Sequence, residues 1–305
     1  MENSNTASFE KLREFRSQVE RPSKLSIAWI VLLVLFILWG FYALYIQITG
    51  GHIVTGMRDN VVWGIYIVNF IFFMGISYAG ALVSGTLHLF RTSWRKPIIR
   101  MAEFITIIAL FIGPLYILLC IGRLDKLPYL VLYGRIQSPI TWDVIAISTD
   151  IIGCIIFLYL SVLRDIAALR DFSELKIPKW RKRLYKWLAL GYTGTPEQQR
   201  RLNNATDIMA AMVIAIAIIV YSVLAWIFSV TLQPGWHSTI FGPYFVIAAV
   251  YSGTGVLIVA MWIFRKIYHL ESYITRKHFV NIGVLMLILA AFFGYFTFSE
   301  YLTKW

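Results

Sequence analysis

Two carboxylates stand where a chain rarely places them. In "TWDVIAISTDIIGC", residues 141–154, Asp143 and Asp150 lie seven residues apart in a run otherwise fit for a membrane interior. Seven residues is nearly two helical turns. A helix here sets both acids on one side, about 10 Å apart along the axis, with Ser148 and Thr149 nearby. A carboxylate at mid-membrane costs about 2.5–3.5 kcal/mol on insertion scales, so it faces the bundle or water rather than lipid. Acids held in that way take up and hand on protons, or bind a cation. Asp143, close after Ser138-Pro139, reads equally as a helix cap. Asp150 is too deep for a cap and reads as a proton relay, with a neutral packing residue as the bland alternative. Arg123, in "LLCIGRLDKLPYL", falls at about the depth of Asp143 and is its natural partner, unless the two form a surface pair without function. Asn69 and Tyr78 are polar groups on an earlier apolar run, and the Asn69 amide serves helix packing and ligand contact equally well.

The elements that must carry these residues follow from composition. Of 305 residues, 59% are hydrophobic and 14% charged, with a mean hydropathy of +0.69. A soluble domain of this length needs more polar surface than that. Seven apolar stretches approach or exceed the roughly 20 residues of a membrane helix: 26–48, 61–90, 103–121, 141–163, 207–231, 241–264 and 279–299. The fold class is an all-α polytopic membrane protein. Residues 1–25 are mixed in charge, lack a secretory signal pattern and read as a cytoplasmic tail. Gly75, Ala79, Gly80 and Ser84 give small-residue spacings that let a neighbouring helix come close.

Orientation follows from the cations. Of the 28 Lys and Arg, 23 fall in the N-terminal tail, the 91–100 loop, the 164–201 segment and the 265–277 loop. These are the cytoplasmic connections, so the chain reads as an inner (cytoplasmic) membrane protein with its N-terminus in the cytoplasm and its C-terminus outside. The net charge of +12 is then a topology signal with scope for anionic-lipid contact, and it calls for no nucleic acid. Segment 179–191, "KWRKRLYKWLALG", mixes cations with Trp180, Leu184, Trp187 and Leu188 and lies along the inner surface. Cys120 and Cys154 fall at different depths and do not suit a disulfide. No Cys or His spacing suits a metal. No span carries a histidine at its middle, which argues against a b-type haem.

The motifs "VVWGIYIVNFIFFMGISYAG", "RKPIIRMAEFITIIALFIGPLYILLCIGR", "SPITWDVIAIST" and "LQPGWHSTIFGPYFVIAAVYSG" resemble the NrfD/PsrC family of quinone-interacting membrane subunits. Within it the likeness is greatest to the ActC type of alternative complex III. The resemblance implies a subunit that has no haem or Fe–S cluster of its own. It implies a quinol or quinone, menaquinone above all, bound near the outer face. The partners implied are an extracytoplasmic iron–sulfur or molybdopterin-type subunit, other membrane subunits and cytochrome c subunits. The aspartate of the family's quinol site maps onto Asp143, and the arginine of its "GR" onto Arg123. Histidines of ActC-like chains correspond to Cys120, Tyr78 and Tyr221, and an aspartate to Ile227, so much of an ActC-like proton path is replaced. Asp150 is its candidate substitute.

The mechanism so implied has quinol entering among spans two to five. Asp143 exchanges the proton, Cys120, Arg123, Asn69 and Tyr116 line or orient the head group, and electrons leave to a protein docked on loops 122–140 and 232–242. Asp150, Tyr78, Glu103 and Asp165 are the candidates for a proton path, with no continuous chain evident between them. The domains expected are the tail, an extra helix over 26–48, a first bundle over 61–163 plus 207–231, the basic segment 164–206 and a partial second bundle over 241–305. The family core has eight helices, and residues 61–299 supply six. A chain cut short explains this better than a partner that completes the bundle. Two rival classes remain: a transporter in which the acids bind a cation or proton, and an anchor for peripheral redox subunits. The transporter reading wants matched helix breaks, and only Gly113-Pro114 interrupts a span.

Overall fold

The computed structural model describes residues 24–57, 63–92, 94–121, 124–172, 178–230 and 238–304. The first 23 residues, Arg123 and the whole of "LQPGWH" (232–237) lie outside them. Nine α-helices occur among the described residues: α1 (Lys24–Gly50), α2 (Gly64–Leu89), α3 (Arg95–Cys120), α4 (Leu127–Leu132), α5 (Pro139–Asp171), α6 (Lys179–Leu188), α7 (Pro196–Ser229), α8 (Phe241–Ile267) and α9 (Arg276–Lys304). Seven of them, all but α4 and α6, are long and apolar enough to cross a membrane. The chain is a multi-pass, all-helical membrane protein.

Several helices outrun their apolar stretches. α3 starts at Arg95 rather than 103, because Ile98, Ile99 and Ala102 are buried and carry the helix through its polar first turns. α7 starts at Pro196, a residue suited to a helix start, and its "PEQQRRLNN" lies before the apolar run. α3 also passes through Gly113-Pro114 without ending. Membrane helices tolerate an internal proline where neighbours satisfy the freed backbone.

Two compact units divide the chain. One comprises residues up to Gly56 together with Tyr159–Ala205; the other comprises Met57–Leu158 and Thr206 onward. In the first, α6 is tied down at its C-terminal end: the Tyr159 hydroxyl donates to the Leu188 carbonyl at 2.6 Å, and Arg170 donates to the Tyr192 carbonyl at 2.8 Å.

The second unit is built around α2, whose small residues work on three sides. Gly75 and Ala79 face Ala249 and Gly253 of α8; a Cβ on Gly253 would overlap Ala79 and come within 2.9 Å of the Gly75 carbonyl. Gly80 faces α3, where a Cβ would strike the Thr106 hydroxyl. Gly85 faces α7, where a Cβ would come within 2.8 Å of Ile214. Such contact lets backbones approach where no hydrophobic effect drives helices together. The main core gathers Phe70, Met74, Tyr78, Leu110, Phe157, Val213 and Tyr221. A second cluster joins Val83, Leu87, Ile98, Leu257, Met261 and Ile282. At the end of α2, Asp207 accepts from His88 and from Arg91, each at 2.9 Å.

Candidate functional site

α5 has a sharply sided surface. Ala146 and Ile147 pack on the core, and Asp150, Cys154 and Phe157 are buried, while Ile145, Ile152 and Ile156 are exposed. Asp143 is half-buried and shares the inward stripe with Asp150, as their spacing requires. Ser148 and Thr149 do not; both are exposed. The first carbonyl of the helix belongs to Ser138, which accepts from the amides of Thr141 and Trp142. Ser138 therefore takes the cap position, and Asp143 lies inside the helix. Its Oδ1 is buried with no hydrogen-bond partner among the described residues, and an acid that capped a helix would bond a backbone N–H there.

Asp150 is 1% exposed. Its Oδ1 accepts from the Cys154 thiol at 3.5 Å, and its Oδ2 is buried without a partner among the described residues. Tyr78, on α2, is buried within electrostatic reach of Asp150, Tyr221, Asp143 and Cys154. The Tyr78 and Tyr221 rings meet edge to face at 4.3 Å, and Tyr221 stacks on Phe245 at 5.0 Å. Both tyrosine hydroxyls are buried without partners among the described residues. A buried polar group without a protein partner calls for a water, an ion or a catalytic role.

Tyr116 of α3 stacks on Phe73 of α2 at 5.7 Å and 11°. The helices are antiparallel neighbours. Asn69, one turn before Phe73, and Cys120, one turn after Tyr116, therefore lie at the same level. Both are half-buried. Beside Asp143 on α5, Trp142, Ile145, Ala146 and Thr149 form one wall of an apolar groove of about 340 Å³, and Ile216, Ile219, Val220 and Val223 of α7 form the other.

Glu103 is buried at 3% exposure. It accepts from Ser84 at 3.3 Å and pairs with Arg100 at 3.4 Å. Ser84, Glu103, Thr106 and Cys154 line a small cavity with room for about one water molecule. Asp165 is exposed and lies in the other unit. Arg123 is outside the described residues. Within the second unit the structure thus buries Asp150, Tyr78 and an oxygen of Asp143, and sets Glu103 and Cys154 on one small cavity. Cys154 and Tyr221 were not site candidates in the sequence. The spacing of four between Asp150 and Cys154 was the only signal for the thiol. Among the described residues, no three His, Cys, Asp or Glu side chains form a metal-holding group.

Seven helices are long and apolar enough to cross a membrane, and those of the second unit bury acids and phenols in an apolar core: the chain is a polytopic membrane protein. Residues 53–304 match the family model described as "Polysulphide reductase, NrfD", and the chain belongs to that family. It is 28% identical over 265 residues to a Halobacterium salinarum protein assigned as a membrane subunit of dimethyl sulfoxide reductase, covering 87% of this chain and 57% of that one. It is 25% identical over 295 residues to the Hdr-like menaquinol oxidoreductase integral membrane subunit of Archaeoglobus fulgidus, covering 95% and 63%. Over 105 residues it is 26% identical to a selenate reductase subunit of Mesobacillus selenatarsenatis, covering 34% and 25%. The chain spans less than two thirds of the length of each.

Proposed function

We propose that this chain is the membrane subunit of a respiratory oxidoreductase at which a quinol or quinone reacts, with Asp143 taking or giving the proton of one quinone oxygen. The observation that carries this reading is the setting of Asp143: a carboxylate oxygen buried without a partner among the described residues, one residue from the wall of an apolar groove. An orphaned oxygen is the acceptor that a quinol hydroxyl requires, and the groove suits an isoprenoid tail. Asn69, Tyr116, Cys120 and Arg123 are the groups that orient the head group. Relatives named as menaquinol oxidoreductase and dimethyl sulfoxide reductase membrane subunits support quinone chemistry and favour menaquinone.

The quinol supplies electrons and protons to this site. The electrons pass to an extracytoplasmic iron–sulfur subunit docked on loops 122–140 and 232–242, in an assembly of the alternative complex III type. The proton has a route inward. From the region of Asp143 it reaches Tyr78 and Asp150, then the Cys154 thiol, the one-water cavity and Glu103. The reading rests on the run of orphan polar atoms and on the cavity that joins Cys154 to Glu103.

The test is titration of a naphthoquinone-type inhibitor into the purified complex. The wild type should bind it. Thr149→Trp, which fills the groove from an exposed position, should weaken binding about tenfold, or ~1.4 kcal/mol. Unchanged affinity in Thr149→Trp would move the site elsewhere. No binding to the wild type would leave the chain an anchor for redox subunits.

A further inference from the structure

Helix α6, Lys179–Leu188, turns its apolar side the wrong way for a packed helix. At 100° per residue, Trp180, Leu184 and Trp187 share one stripe. Amphipathic helices of globular proteins bury that stripe, yet here the three side chains are 65%, 41% and 72% exposed. The face turned inward is instead that of Arg181, Tyr185 and Leu188, which are only part-exposed. Arg181 donates to the Tyr185 hydroxyl at 3.0 Å, and the Leu188 carbonyl is held by Tyr159. The anchored face fixes which way the apolar stripe looks.

The charge around that stripe is of one sign. Arg183, Lys179 and Lys186 flank one edge and Arg181 the other, Lys182 lies on the far side, and the helix has no acid. An apolar stripe of Trp and Leu, rimmed by cations and left uncovered, matches the boundary between phospholipid head groups and acyl chains. A protein partner would have to supply both an apolar groove and several acids in register. The bilayer already supplies both, at the face where this basic segment must lie if the cations mark the cytoplasmic side.

We propose that α6 is an anionic-phospholipid binding element: Trp180, Leu184 and Trp187 enter the head-group boundary, and Lys179, Arg183 and Lys186 bind lipid phosphates. The proposal is independent of quinone chemistry.

The experiment is hydrogen exchange of residues 179–191 in the complex, reconstituted in nanodiscs of phosphatidylcholine alone or mixed with phosphatidylglycerol. Exchange should be slower in the anionic discs, and the difference should shrink about fivefold for each cation replaced. In the variant with Lys179, Arg183 and Lys186 all changed to Gln it should vanish. Quinol-dependent turnover of that variant should equal that of the wild type in neutral discs. Inorganic phosphate added to neutral discs should not reproduce the protection. Equal exchange in the two lipids would overturn the proposal. So would protection gained from phosphate alone, or protection that follows the presence of an acidic partner protein whatever the lipid.

Discussion

The Cys154 thiol donates to Asp150 Oδ1 one helical turn away on α5, and it is the partner that this buried carboxyl has among the described residues. The other oxygen is an orphan. A single weak donor holds an acid at the centre of the bundle, so the acid can exchange partners, as a relay must. Replacing Cys154 by Val should leave both oxygens unpaired and destabilise the complex by about 1–3 kcal/mol. Cys154→Ser should recover most of that loss. The denaturation midpoint of the purified complex checks both.

Asp150→Asn separates the relay from quinol chemistry. It keeps the shape and removes the titrating group. In proteoliposomes, quinol oxidation should persist while acidification coupled to it falls sharply. Equal coupling in the variant and the wild type would take Asp150 out of the proton path.

The approach of α8 to α2 gives a test of the fold. Gly253→Leu drives a side chain into Ala79 and the Gly75 backbone and should cost about 1–3 kcal/mol by overpacking. Gly294→Leu is the control, because nothing lies within 4 Å of a Cβ there, and its midpoint should not move. Thermal unfolding in detergent reads both.

At the end of α2, Asp207→Asn weakens two charge-assisted contacts at once, with His88 and Arg91. Arg91 is mostly exposed, so its share is small. The total should be about 1 kcal/mol, and Arg91→Gln alone should cost less than half of that. Paired midpoints of the two variants settle the order.

The helices and the facing of the two acids were legible in the sequence, because length, hydropathy and a spacing of seven are properties of one segment. Helix ends were less so. α3 and α7 continue beyond the apolar stretch, and hydropathy marks the bilayer core rather than the helix. The small residues of α2 announced close packing, but their division among α3, α7 and α8 depends on tertiary placement. The same holds for Tyr78 against Tyr221, and for Cys154 across the cavity from Glu103. Those pairs come from distant segments, and no local pattern joins them. Ser148 and Thr149 were expected beside the acids. They are exposed because each is offset by about a quarter turn or more from the inward stripe.

The central claim is that Asp143 handles the quinol proton, and the most direct measurement is quinol-dependent reduction of the proposed iron–sulfur partner by the isolated complex, wild type against Asp143→Asn. With assembly intact, turnover should fall by about 10²–10⁴. Undiminished turnover in a fully assembled variant would contradict the account and return Asp143 to a structural residue of α5.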